Sequence, residues 1–432
     1  MGCDSTLING RLLGYSPGMP LTFLRGIFAA LRLSRILPTA LLSVALGLVH
    51  LTALAAPADI PRPPELERDV QFWIRVYSQV TTREGLLHDG RNLAVVYKTL
   101  RFEPDIARSE RREQIDAQRD YYSTLLRSLA DGSAAADDAE ANRVRALFGN
   151  EASPARFVLA ADEVRFQLGQ SDRFREGLSR SGLWSGHIDE VLAAAGLPPE
   201  IAALPHVESS FEATAYSKVG AAGLWQFMRS TGRRFLRIDD AVDERMDPYR
   251  ATEAAAQLLD FNYRLLGSWP LALTAYNHGA AGMRRARDAM QTDDIVAIVR
   301  SYSSPTFGFA SRNFYVSFLA ALDIHRDPER YFGAIDRRSQ MRLAEVVVPA
   351  YVPVAALERV LKVERTPLRQ VNPALLPSVW RGQRLVPEGY RLRLPAGMAA
   401  LTSEQLDSRL APNEKFVAQP RGNKPARPKV KS

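Results

Sequence analysis

The sequence predicts a mainly α-helical protein that carries a small α+β unit near its C-terminal end. Three observations lead there. From Pro61 to about residue 340, apolar residues recur at the three-and-four spacing of a buried helix face, with no strictly alternating stretch. Gly132, Gly279 and the "GLPP" of residues 196–199 fall between these runs, where helices stop and start. After Arg342 the texture changes to β-branched runs flanking two short helical patches. At 432 residues, with 46% hydrophobic and 24% charged side chains, the chain fits an ordinary globular protein of two or three units.

Taken in order, "ERDVQFWIRVYSQV" puts Val70, Trp73, Ile74 and Tyr77 on one face, and "RREQIDAQRDYYSTLLRSLADG" repeats the pattern up to Gly132. "GSAAADDAEA" is small and polar and reads as a loop. "ARFVLAADEVRFQLGQSDRFREGLSRSG" reads as one or two helices, and Pro198 and Pro199 suit the start of another. Further helices are expected in "PYRATEAAAQLLDFNYRLLG", "WPLALTAYNHG", "AAGMRRARDAM" and "SRNFYVSFLAALDIH". The division expected is an N-terminal helical region at 57–155, a helical body at 156–335, a strand–helix–helix–strand unit at 343–398 and a disordered basic tail at 403–432.

Residues 1–56 resemble an export signal: arginines precede an uncharged run from Ile36 to Leu54, and Ala53-Leu54-Ala55 offers a cleavage pattern. An uncleaved membrane anchor is the alternative, since the run is long enough to span. The net charge of +8 is accounted for by the ends, where Arg11, Arg25, Arg32 and Arg35 face only Asp4 and the tail holds Arg421, Lys424, Arg427, Lys429 and Lys431. The body between is neutral, which argues against a nucleic-acid face. Cys3 is the sole cysteine, so no disulfide is expected. The six histidines are scattered, and neither a metal site nor a cofactor motif is expected.

The chemistry concentrates in "LPHVESSFEATAYSKVGAAGLWQF", residues 204–227. Glu208 falls near the end of a helix beginning at Pro199, among Leu204, Val207 and Phe211. It is either a solvated surface charge or a carboxyl whose pKa is raised by the helix dipole and desolvation, able to protonate a leaving oxygen. Glu212, on the same face, cannot flank a bond from the opposite side and reads as a surface charge. Gly220 and Gly223 allow close backbone approach and Gln226 both donates and accepts, although Trp225 and Phe227 equally suit a core. Tyr276 and Asn277 end an apolar helix, where they reach a ligand or simply cap the helix.

Together, Glu208-Ser209, then "GAAGLWQF", then "AYNHG" resemble the lytic transglycosylases of the soluble-lytic-transglycosylase class, most of all the membrane-bound D type, across about residues 160–330. The resemblance implies a lysozyme-like domain that cleaves the bond between N-acetylmuramic acid and N-acetylglucosamine in peptidoglycan, leaving a 1,6-anhydromuramoyl end. It places the catalytic acid on Glu208 and substrate contacts on Ser217, Gln226, Tyr276 and Asn277. The Arg-Asn-Tyr motif of the family appears as "SRNFYVSF", with Phe314 in the aligned position and Tyr315 next to it as the contact assigned. Residues 344–397, through "LRQVNPALL" and "GYRLRLPAG", resemble a lysin-motif glycan-binding unit. The partner implied is the peptidoglycan strand, for a periplasmic or membrane-associated monomer. A muramidase that uses water and a catalytically silent peptidoglycan-binding protein are the alternatives.

Overall fold

The computed structural model describes residues 60–340 and 343–420. The expected signal or anchor at 1–56 lies outside them. Among the described residues no helix is long and apolar enough to cross a membrane.

The N-terminal region runs α1 (Glu67–Ser78), β1 (Glu84–Asp89), β2 (Val96–Arg101), α2 (Arg108–Asp131), α3 (Ala139–Leu147), α4 (Pro154–Asp162) and β3 (Val164–Leu168). The helical body follows with α5 (Ser171–Ser181), α6 (Ser185–Ala194), a 3₁₀ turn at Pro199–Ala203, α7 (Leu204–Ser209), α8 (Arg229–Gly232), α9 (Pro248–Leu266), α10 (Trp269–His278), α11 (Ala280–Met290), α12 (Ile295–Ser301), α13 (Phe309–Arg326) and α14 (Pro328–Phe332). The C-terminal unit is β4 (Glu345–Val347), α15 (Val354–Leu361), α16 (Arg365–Gln370), α17 (Pro377–Trp380), β5 (Arg391–Arg393) and α18 (Ser403–Arg409).

The helical expectation holds for the body but not for the N-terminal region. There, β1 is the centre of an antiparallel sheet in the order β2-β1-β3, and "VRFQL", expected as helix, is an edge strand. The reason is burial: β1 is covered from Gly85 to Asp89, so its sequence has no polar face to alternate. Gly85 is obligatory, because a Cβ there would lie 2.1 Å from the Phe166 ring. The tail expectation also fails in part. Residues 403–409 are helical, started by a Thr402–Gln405 capping box and held by buried Leu406 and Leu410. Phe416 pairs by backbone with Tyr351.

The main core is built on α13, whose side chains from Phe314 to Leu322 are buried, with α1 lying along it and α5, α7, α9 and α10 closing around. A second core fills the space between the N-terminal sheet, α2 and α4, through Leu87, Tyr97, Tyr122, Leu126 and Phe157. A third belongs to the C-terminal unit but takes Ala241 and Val242 from the helical body. That unit is joined to the helical body by direct contacts. Val242 bridges Leu375, Leu376 N–H donates to Ala241 O at 2.9 Å, and Arg393 and Asp247 form a buried ion pair. The β4–β5 pair encloses the helices as the strand–helix–helix–strand pattern predicts, with α17 as an extra turn.

Candidate active site

Three prolines, Pro198, Pro199 and Pro205, set the approach to Glu208: they start the 3₁₀ turn and then α7, each where a missing N–H costs nothing. The helix ends at once. Ser210 (φ 50°) and Phe211 (φ 57°) are consecutive left-handed residues, and Phe211 is a bulky side chain in a region such residues avoid. Two anchors hold the strained exit. Arg180 donates to Ser210 O at 2.8 Å, and the Ser209 hydroxyl donates to Leu224 O at 2.7 Å, tying the end of α7 to the following loop.

Glu208 is half-buried, and among the described residues its carboxylate has no hydrogen bond or ion pair. Desolvation alone raises its pKa to about 8. Its negative form in turn acts on two phenols. Tyr276 is pushed well above its usual range by burial and by Glu208, and Tyr77 of α1 is raised by the same two causes. Both phenols therefore remain protonated. Glu212 behaves oppositely. Despite the opposing effect of burial, hydrogen bonds from Thr214 and the nearby Arg180 hold it below the usual carboxylate range. Its pairing agrees with the expected surface charge.

The opposing loop is a compact clamp. Tyr216 bridges Ala222 and Ala222 bridges Phe227. The Ser217 hydroxyl accepts from Ala221 N–H at 2.9 Å, so this serine shapes the turn. Gly223 (φ 79°) can be nothing else, since a Cβ would lie 1.7 Å from Arg245 O. Arg245 is buried; it pairs with Asp243 in a fork (2.9 and 2.7 Å) and donates to Gly220 O and Phe227 O at 2.7 and 3.0 Å. Gln226 sits at φ 47°, and its Nε2 donates to Gly223 O at 2.8 Å and Ala215 O at 3.3 Å. Both amide hydrogens are committed to the loop, which leaves Oε1 as the acceptor on offer. Trp225 is fully buried and donates to Thr252 at 2.9 Å, so it is core and not a sugar platform.

Tyr276 closes the arrangement from the end of α10. Its hydroxyl donates to Trp225 O at 2.8 Å. Asn277 is exposed and accepts from the Ser311 hydroxyl at 3.1 Å, which links α10 to the first turn of α13. The end of α7 and Tyr276 are thus tied to the loop that carries Ser217 and Gln226, through Ser209 to Leu224 O and through Tyr276 to Trp225 O. Tyr315 turns elsewhere. It is 1% exposed and its hydroxyl bonds Pro61 O, on the α1 side of α13, while Phe314 is equally buried. Both side chains are committed to the core. Sequence reasoning missed Arg245, and it read Tyr77 only as a buried-face residue, because its relation to Glu208 exists only once α1 packs on α13. Among the described residues no group of three or more potential metal ligands occurs. An open depression of about 510 Å³ beside Tyr97, Tyr122, Glu140 and Arg143 is elsewhere, and Glu140 there is satisfied by Tyr122 and Arg143.

Residues 189–298, which contain Glu208, the clamp loop and α10, match the family model for the transglycosylase SLT domain. The chain is 26% identical, within a 233-residue match, to membrane-bound lytic murein transglycosylase D of Escherichia coli K12, over 50% of this chain and 51% of that protein. A 92-residue match, 37% identical, links it to a putative tributyltin chloride resistance protein of Alteromonas sp. strain M-1, over 21% of this chain and 44% of that protein. The chain spans about half the length of the curated relatives it matches. Among solved structures, lytic transglycosylase Slt of Pseudomonas aeruginosa (an inactive mutant) aligns at TM-score 0.29 and 19% identity, over 35% of this chain and 24% of that one. The 70 kDa soluble lytic transglycosylase of Escherichia coli aligns at TM-score 0.28 and 21% identity, over 35% and 25%.

Proposed function

We propose that the protein is a peptidoglycan lytic transglycosylase, with Glu208 as its only acid and base. The observation that carries this reading is a half-buried carboxyl with a pKa of about 8 and no partnering charge, near enough to the Tyr276 phenol to raise its pKa. In the protonated form Glu208 gives its proton to the glycosidic oxygen as the C1–O bond of the muramic sugar breaks. The resulting carboxylate faces the oxocarbenium ion and takes the proton of that sugar's own C6 hydroxyl. O6 then bonds C1, closing the 1,6-anhydro ring. The proton count balances with no water consumed, and the nucleophile arrives already positioned. Gln226 Oε1 and Asn277 are the groups that hold sugar hydroxyl or acetamido hydrogens. Tyr276 and Ser217 act through the loop: one fixes the Trp225 carbonyl and the other the turn. A group pair for a water-using hydrolase has no support here, because Glu212 is kept ionised and hydrogen-bonded by its own neighbours.

We further read residues 343–398 as a lysin-motif-like unit, on the strength of their strand–helix–strand order, and the protein as an exported monomer of the periplasm or the periplasmic face of a membrane. Digestion of purified peptidoglycan followed by mass spectrometry tests the main reading. Products ending in 1,6-anhydromuramic acid are expected, and Glu208→Gln should release none while still sedimenting with insoluble peptidoglycan. Reducing-end products would instead make the enzyme a muramidase.

A further inference from the structure

The N-terminal region brings positive charge without matching negative charge to one end of the site. Arg165 of β3 stands opposite His88 of β1, and its guanidinium lies 4.9 Å from the ring centre of Phe309 at the start of α13. The His88 ring meets the same phenylalanine at 5.6 Å. Arg312 follows Phe309 by one helical turn and shares its face. Arg91, just after β1, and Arg300, in the last turn of α12, complete the cluster. Burial first, and then the like charges of Arg91, Arg165 and Arg300, pull the Arg312 pKa below its usual value against the opposing effect of Glu163.

The negative charges on hand are few and already occupied. Asp69 pairs with Arg300 at 2.6 Å. Glu163 is shared, at 3.9 Å from Arg91 and 3.4 Å from Arg165. Four guanidinium groups thus face two carboxylates, and among the described residues the Arg312 side chain has neither a hydrogen bond nor an ion pair. Half-buried like charges in the first turn of a helix oppose folding through both mutual repulsion and the helix dipole. A local conflict of this kind, which Glu163 relieves only in part, is what a place kept for a ligand looks like. The helix that carries Arg312 also reaches the candidate site: Ser311, in the same first turn, is hydrogen-bonded to Asn277, which follows Tyr276.

We propose that Arg312, together with Arg91 and Arg165, forms a carboxylate-binding subsite that takes the acidic peptide stem of the strand being cleaved. The inference rests on the proposed lytic reading, which supplies the substrate. Peptide stems carry free carboxylates, and a guanidinium fork matches a carboxylate with two parallel hydrogen bonds. The arrangement also gives the N-terminal sheet a function: it completes the site by delivering Arg91 and Arg165 to it.

The experiment compares wild type with Arg312→Gln and Arg165→Gln on two substrates, strands bearing peptide stems and the same strands stripped of stems by an amidase. Wild type should form anhydro ends from stem-bearing strands with a KM lower by about tenfold, the scale of one charge-assisted bidentate contact. Each variant should lose that difference while its rate on stripped strands stays unchanged, and added salt should reproduce the loss in wild type. A retained preference, or an equal loss on both substrates, overturns the proposal, the second because it assigns Arg312 to packing. If wild type forms no anhydro ends at all, the lytic reading fails separately. The subsite is then judged by calorimetric binding of a free stem tetrapeptide, which Arg312→Gln must abolish; undiminished binding to the variant overturns it.

Discussion

Two arginine-bearing seams join accessory regions to the helical body, and they are built on opposite terms. At the C-terminal seam every charge is answered. Buried Arg393 pairs with Asp247 and lies 4.2 Å from the Tyr249 ring, Asp247 also caps α9, and Arg384 reaches Asp240 at 2.6 Å. At the N-terminal seam Arg312 is left unanswered among three other arginines. Both seams are apolar at heart, so burial holds each together. The difference is in what the polar groups are for. Saturated pairs fix a geometry, while an unsaturated cluster keeps hydrogen-bonding capacity for something that arrives later.

The comparison breaks most visibly at the C-terminal seam. Arg393→Met leaves Asp247 as an uncompensated buried carboxylate. It should cost about 3–5 kcal/mol in urea unfolding at neutral pH. A loss below about 1 kcal/mol would mean that the seam is not closed by this pair.

Glu208 belongs with the unsaturated groups, and its signature is a stability cost that grows with pH. Its folded pKa of about 8 lies above the ordinary carboxyl value of 4.5, so the fold loses stability as pH rises from about 4.5 to about 8, where the unfolded chain ionises and the native carboxyl resists. Glu208→Gln should therefore be stabilised relative to wild type by about 2–4 kcal/mol at pH 8, with little difference at pH 4. Parallel pH–stability curves would remove the burial argument. Activity follows the same group, with kcat falling as pH rises through about 8 because the proton donor is lost.

Tyr276→Phe removes the donor to a buried carbonyl of Trp225 and should cost about 1–3 kcal/mol together with a fall in kcat, measured by thermal unfolding and anhydro-end release. The smallest stability effect sharpens the comparison best. Arg312→Gln should shift stability by no more than about 0.5 kcal/mol, or raise it, because the charge has no partner to lose. A cost near that of Arg393→Met would make the two seams alike.

Much of the body was legible because its helices have one buried face and are punctuated by glycine and proline, as α9 and α10 illustrate. Glu208 drew notice as a single acid among Leu204, Val207 and Phe211, but that stretch left a surface charge equally open, and its assignment as the acid came from the resemblance of the motifs taken together. Strand β1 was not, because covering both faces erases alternation. The order of α18 was missed although Thr402 and Gln405 have capping-box spacing, because Leu406 and Leu410 are only two apolar residues in a polar run. Tyr315 was placed in the site by neighbourhood in the chain, whereas one residue along a helix turns a side chain by about 100°. It points to Pro61 instead. Arg245 lies outside the loop it braces, and the arginine cluster comes from segments far apart in the chain; no local pattern records such meetings.

The central claim is that desolvation keeps the Glu208 carboxyl protonated at neutral pH. Carbon-13 NMR of protein labelled at glutamate side-chain carboxyls, assigned with Glu208→Gln, reads that directly. A titration midpoint near 8 is the result the structure predicts. A midpoint near the ordinary value of about 4.3 would mean an ionised group at working pH, with no proton to give, and would contradict the account.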